Sequence, residues 1–169
     1  AIDKASVEEA VNGSLQRLQT DYIDLYQIHW PDRYVPNFGQ AFYDPAEERM
    51  ATSIEDQLEA LDSVVKAGKV RYLACSSHGP HGLEPLLTQA IESGHFDLVM
   101  PAFNFMSFPK LPEVIKTAKA KGVGVVAMKT LAGAKEMELE TGESPFEHAA
   151  FKWVLQHPEV SGLIVTLKT

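Results

Sequence analysis

A histidine with chemical potential follows a run built for a β-strand: Tyr22-Ile23-Asp24-Leu25-Tyr26-Gln27-Ile28, then His29, Trp30 and Pro31. Aromatic and β-branched residues favour the pleated conformation, and proline cannot continue its ladder, so the strand ends at the imidazole. On residue types alone, such a histidine is either structural or a site residue. Other strand-like runs also end in polar groups: Ser76-Ser77-His78, Asn104, Lys129-Thr130, and Thr166 with Lys168. In a parallel barrel these positions would face one mouth, where barrel enzymes keep their functional side chains. His78-Gly79-Pro80-His81 has no third ligand nearby, so no metal is expected. Hydrolase chemistry of the Ser/His/Asp kind lacks its Gly-x-Ser-x-Gly elbow.

The elements that must position these groups alternate along the chain. A helix is predicted over residues 6–19, with Ser6 and Glu9 as a capping box and Val7, Val11, Leu15 and Leu18 on one face. Ser53 and Asp56 open a second helix with Ile54, Leu58, Leu61 and Val65 on its apolar face and Gly68 as its stop. Further helices are predicted over residues 83–93 and 111–121, ending at Gly94 and Gly122. Ser144-Pro145-Phe146-Glu147 starts the last, with Phe146, Ala149, Ala150, Trp153 and Val154 facing inward. Strands are predicted over residues 70–75, 98–103, 123–128 and 163–167, all near-continuously apolar, as strands covered on both faces are. Residues 32–52 form the least regular stretch. This long loop carries aromatics at Tyr34, Phe38, Phe42 and Tyr43 and is a lid candidate.

Strands separated by helices run parallel. The pattern fits a (β/α)8 TIM-barrel type or a doubly wound sheet. The latter's dinucleotide form wants Gly-x-Gly-x-x-Gly between strand and helix, which is absent. The barrel is therefore expected. A full one takes roughly 250 residues, so a chain of 169 supplies about five βα units, an incomplete barrel read as one domain over residues 1–169.

Composition narrows the class. The net charge is −8, and lysines and arginines are scattered, the densest cluster being Lys116 to Lys121 on one helix, so no nucleic acid is expected as partner. No apolar window reaches the ~18 residues that would span a membrane. The first residues show no signal peptide, and the chain does not start with Met. The single cysteine, Cys75, excludes an internal disulfide and cysteine-based metal sites, which makes a cytoplasmic location the simplest expectation.

The stretch Thr20-Asp21-Tyr22-Ile23-Asp24-Leu25-Tyr26-Gln27-Ile28-His29-Trp30-Pro31, with Ser14-Leu15-Gln16-Arg17-Leu18 before it, resembles the aldo-keto reductase signature around the active-site histidine. Gly68-Lys69-Val70-Arg71-Tyr72 leading to Ser76, and Val125-Val126-Ala127-Met128 leading to Leu131, look like later strands of that family. The resemblance implies reduction of an aldehyde or ketone to an alcohol with NADPH, or with NADH. It implies that His29 orients and polarises the carbonyl and that Trp30 walls the substrate pocket. Ser76 matches the serine of a Ser-Asn pair that holds the nicotinamide carboxamide, with Ser77 in place of the asparagine. A hydroxyl still donates and accepts, but it loses the paired geometry of an amide. Asn104, Met128 and Lys129 are the remaining cofactor-binding candidates. Methionine packs on a ring through its polarizable sulfur, and the lysine suits a cofactor phosphate.

The family's Asp, proton-donating Tyr and Lys belong before the first helix of this chain, and its adenosine-phosphate contacts follow the last strand. The chain by itself is therefore expected not to reduce carbonyls. Open barrel edges imply self-association or a complementing fragment. Alternatives are a non-catalytic barrel-fold binding or structural module, and a designed or assembled fragment.

Overall fold

The computed structural model describes residues 1–29, 32, 46, 51–77, 83–106, 110–131 and 145–165. The chain forms two compact units, Ala1–Leu73 and Ala74–Thr169. The first holds α1 (Lys4–Leu18), β1 (Ile23–Ile28), α2 (Ile54–Lys66) and the leading half of β2 (Val70–Ser77). The second holds the rest of β2, then α3 (Leu83–Ser93), β3 (Leu98–Pro101), α4 (Leu111–Ala120), β4 (Gly124–Ala127), α5 (Phe146–Leu155) and β5 (Gly162–Leu163).

In the first unit α1 begins two residues before its expected start. Asp3 takes the cap, its Oδ1 accepting the Ser6 N–H at 2.8 Å, and a carboxylate there also meets the positive end of the helix dipole. Ser6 therefore lies inside the first turn. The Ser6 N–H holds the Asp3 carboxyl below its ordinary range, and the terminal ammonium adds to this. Val7 and Val11 are buried, whereas Leu18 stands in solvent. The helix stops at Gln19, which adopts a left-handed φ of 54°. There the Thr20 and Gln19 N–H groups return to the carbonyls of Leu15 and Gln16.

Ser53 caps α2 as expected, accepting from the Asp56 N–H at 3.1 Å while its hydroxyl donates to the Asp56 carboxylate at 2.7 Å. The buried face of α2 differs from the apolar pattern. Gln57, Ala60, Leu61 and Val64 face inward, and Ile54 is 52% exposed. The turn of the helix follows the amide of Gln57, whose burial is made affordable by three hydrogen bonds from and to loop residues described below. Gly68, at φ +72°, ends the helix: Gly68 N–H meets Val65 O and Lys69 N–H meets Val64 O. The Ile23 N–H donates to Lys69 O at 2.8 Å, starting the contact of β1 with β2. Arg71 pairs with Asp24 at 2.8 Å and lies 4.1 Å over the Tyr22 ring. These are exposed contacts of small energetic weight.

In the second unit the strands pair in parallel. Ala74, Cys75, Ser76 and Ser77 of β2 lie opposite Leu98, Val99, Met100 and Pro101. Leu98 and Val99 lie opposite Gly124 and Val125, and Val126 and Ala127 opposite Gly162 and Leu163. Leu83, Leu87 and Ile91 of α3, Leu111, Ile115 and Ala118 of α4, and Val154 of α5 close over Val99, Phe103 and Val125 in one apolar core. On α5, Ala150 and Val154 are buried and Trp153 packs against the core, but Ala149 is exposed. The expected cap Ser144 lies outside the described residues.

The sheet order is β1-β2-β3-β4-β5, with each strand beside its sequence neighbour. A doubly wound sheet reverses its order part-way. Consecutive order with helical crossovers is that of a barrel arc, so the fold is α/β of the (β/α)8 type, here with five strands.

Candidate functional site

His29 follows the last residue of β1 and is exposed. Trp30 and most of residues 32–52, the lid candidate, lie outside the described residues. Asp32 is described, and sequence reasoning passed over it. It is 6% exposed, and its Oδ2 accepts from the Ile2 N–H (3.3 Å), the Thr52 N–H (3.1 Å) and the Thr52 hydroxyl (2.7 Å). The Asp32 N–H donates to Gln57 Oε1 at 2.9 Å, and Gln57 Nε2 donates to the carbonyls of Thr52 (2.8 Å) and Asp32 (3.4 Å). The network ties residue 32 to residue 52 and the start of the chain to both, three residues past His29. A buried carboxylate needs such partners. The only sequence signal was Gln57 itself, a polar residue at helical spacing with Leu61 and Val64, whose burial demands an acceptor and a donor nearby.

His29 belongs to the first unit; the cofactor-binding candidates belong to the second, on the three neighbouring strand tails of β2, β3 and β4. Ser76 and Ser77 close β2 and are 2% and 4% exposed. The Ser77 carbonyl accepts from the Ala102 N–H at 3.0 Å. Ala102 pairs with Met128, the Met128 N–H donates to Pro101 O at 2.9 Å, and the Phe103 N–H donates to Met128 O at 3.0 Å. Regular pairing thus carries past the strand ends and fixes the tails side by side. Met128 is buried; Lys129 is exposed and holds a positive φ of 52°; Thr130 after it is buried. The Asn104 side chain, 3% exposed, donates to Lys129 O at 3.3 Å and accepts the Met106 N–H at 2.9 Å. Both ends of its amide therefore serve backbone groups.

The arrangement offers hydroxyl donors and acceptors at Ser76 and Ser77, a polarizable apolar surface at Met128 and one cation at Lys129. Beside it on β2, burial pushes the Cys75 thiol up to about 12, so it stays protonated at neutral pH and is no nucleophile. His78, His81, Thr166 and Lys168 lie outside the described residues.

Fold and tails together define a (β/α)-barrel protein with its polar groups at the strand C-termini. Residues 1–149 match the aldo/keto reductase family, and the chain belongs to that family. Aldo-keto reductase YhdN of Bacillus subtilis is 32% identical over 117 residues, which cover 69% of this chain and 29% of YhdN. Aldo-keto reductase AFTS1 of Alternaria alternata is 33% identical over 137 residues, 79% of this chain and 32% of its own. The solved holo form of aldo-keto reductase AKR11C1 from Bacillus halodurans matches the whole chain with a TM-score of 0.72 and 23% identity, over 59% of its own length. The chain thus spans about a third or less of these curated relatives and 59% of that solved structure.

Proposed function

We propose that this chain is part of an enzyme reducing an aldehyde or ketone to an alcohol with a nicotinamide dinucleotide, NADPH in preference to NADH, in the cytoplasm. The observation that carries the reading is the pair of strand tails on either side of β3, bearing Ser76 and Ser77 at the end of β2 and Met128 and Lys129 after β4, taken with membership of the family. The dinucleotide, when bound, supplies the hydride that the carbonyl carbon receives. The chain's own residues bind and orient. The Ser76 and Ser77 hydroxyls hold the carboxamide, Met128 packs on the ring and Lys129 offsets phosphate charge. The His29 imidazole donates a hydrogen bond to the carbonyl oxygen, and Trp30 walls the substrate. Asn104, a cofactor-contact candidate by sequence, has its amide engaged by backbone groups, so it is reassigned as a brace.

The test is a titration of the 169-residue chain with NADPH and with NADH, followed by tryptophan fluorescence or calorimetry. Saturable binding is expected, tighter for NADPH. Ser76→Ala should weaken it roughly fivefold to tenfold, the worth of one hydrogen bond of about 1 kcal/mol. Absence of saturable binding to either dinucleotide would defeat the reading. Turnover by this chain alone is not expected; it should appear when a segment carrying the family's proton-donating tyrosine and its lysine is supplied. A second reading, a non-catalytic barrel-type module, draws support from the engaged amide of Asn104, and it predicts no turnover even with that segment restored.

A further inference from the structure

We infer that Asn104 is a positioning residue that holds Lys129 in the left-handed backbone conformation, and that the ammonium presented there takes an anionic phosphate of a dinucleotide. The second clause rests on the function proposed above; the first stands on geometry alone.

Among the described residues only Gln19 and Lys129 have positive φ without being glycine. Gln19 is accounted for by the helix end it closes, where two returning N–H groups need that conformation. Lys129 closes no helix. It follows a residue locked in sheet pairing and precedes a buried threonine. The other three positive-φ positions among the described residues are Gly68, Gly94 and Gly122, which bear no steric penalty. A lysine in this region is disfavoured by the close approach of its Cβ to the backbone, so something must hold it.

The group on hand is the Asn104 amide. Its Nδ2 donates to the Lys129 carbonyl at 3.3 Å. The amide cannot swing away, because its Oδ1 accepts the Met106 N–H at 2.9 Å and the side chain is 3% exposed. One buried amide thus joins the tails after β3 and β4. The consequence shows in exposure: Met128 and Thr130 are buried and Lys129 between them is exposed. A turn of this hand goes with a long cationic side chain turned outward at the tail of β4, next to the tail of β3, on a chain whose net charge is −8. An anion is the ligand such a presentation favours.

Asn104→Asp separates the two bonds of the amide. It keeps an acceptor for the Met106 N–H and replaces the donor to Lys129 O with a repelling oxygen. In the 169-residue chain, Lys129 is expected to lose the strong intraresidue amide-to-Hα contact of a left-handed residue in NMR spectra, with Met106 still protected. Affinity for NADPH should fall roughly tenfold for Asn104→Asp and equally for Lys129→Ala, with no further loss in the double variant, as expected when both act through one charge. An equal fall for NADH assigns the pyrophosphate, and a fall for NADPH alone assigns the 2′-phosphate. Retention of the left-handed signature in Asn104→Asp overturns the positioning role. Wild-type affinity in Lys129→Ala overturns the phosphate role. If Asn104→Asp does not fold, Lys129→Gly decides: glycine accepts the φ, so a melting temperature at or above wild type with the same loss of affinity is expected, and a lower one overturns the proposal. A wild-type chain that binds neither dinucleotide defeats the cofactor reading, while the NMR signature still decides the role of Asn104.

Discussion

Cys75 sits between Ala74 and Ser76 in the interior run of β2, and burial raises its thiol from 9.0 to about 12. A raised acid favours the protonated form in the fold. Its contribution to stability is therefore complete below about pH 9 and is lost as the pH climbs from there toward 12. Two outcomes follow. A thiol reagent such as Ellman's should modify the native chain slowly at neutral pH and faster as the pH climbs toward 12. The alkaline limb of a stability profile should be shallower in Cys75→Ala than in wild type between pH 9 and 12. Rapid labelling of the folded chain at neutral pH would contradict the raised thiol. The apolar run that holds Cys75 was legible in sequence. Asp32 was not, because a carboxylate after Trp30-Pro31 reads as a solvated loop residue. Its partners Ile2, Thr52 and Gln57 lie 20 to 30 positions away, and only folding reveals them.

Among elements, glycines told the most. Gly68, Gly94 and Gly122 were read as helix stops and each adopts the positive φ that such an ending requires. The inward face of α2 was misread by about one position, since a hydrophobic pattern has no way of registering that Gln57 is held by Asp32 and Thr52. The end of α5 held a feature with no sequence signal. His157 follows the helix, and its ring lies 5.0 Å from both Phe103 and Trp153, which are themselves 5.1 Å apart. Its Nε2 is buried with no hydrogen-bond partner among the described residues. An unsatisfied buried polar atom costs about 1–3 kcal/mol, and apolar replacement of the same shape removes that cost. His157→Phe should therefore stabilise the second unit by about 1 kcal/mol, a rise in melting temperature of roughly 4–8 °C for a domain of about this size. Thermal unfolding followed by near-ultraviolet circular dichroism reads it through Trp153. A fall instead would mean that the imidazole nitrogen has a partner, such as a buried water, whose loss outweighs the gain.

At the scale of the whole chain, strand order was legible because helices between apolar strands leave only parallel pairing, and the polar tails favoured an arc over a reversed sheet. What sequence could not weigh was how each strand would be covered. β2 buries five of its eight positions, whereas β1 buries none of six. Among the described residues β1 has one sheet neighbour, and Leu25 and Tyr22 at and beside it remain 40% and 38% exposed. An edge with apolar side chains invites pairing with another chain. We therefore propose that the 169-residue chain self-associates, or accepts a complementing segment, along β1. The net charge of −8 opposes association of copies, and salt screens that repulsion, with a Debye length falling from about 30 Å at ~0.01 M to about 3 Å at ~1 M. Sedimentation velocity should accordingly show species larger than a monomer at high protein concentration, in proportions that grow with salt. Leu25→Lys, which places a charge on the edge strand, should return the chain to a monomer while leaving its helical circular dichroism unchanged. A salt-promoted association indifferent to Leu25→Lys would move the contact away from β1, and a chain monomeric under all these conditions would show that the strand's own side chains and its Asp24–Arg71 pair already guard the edge.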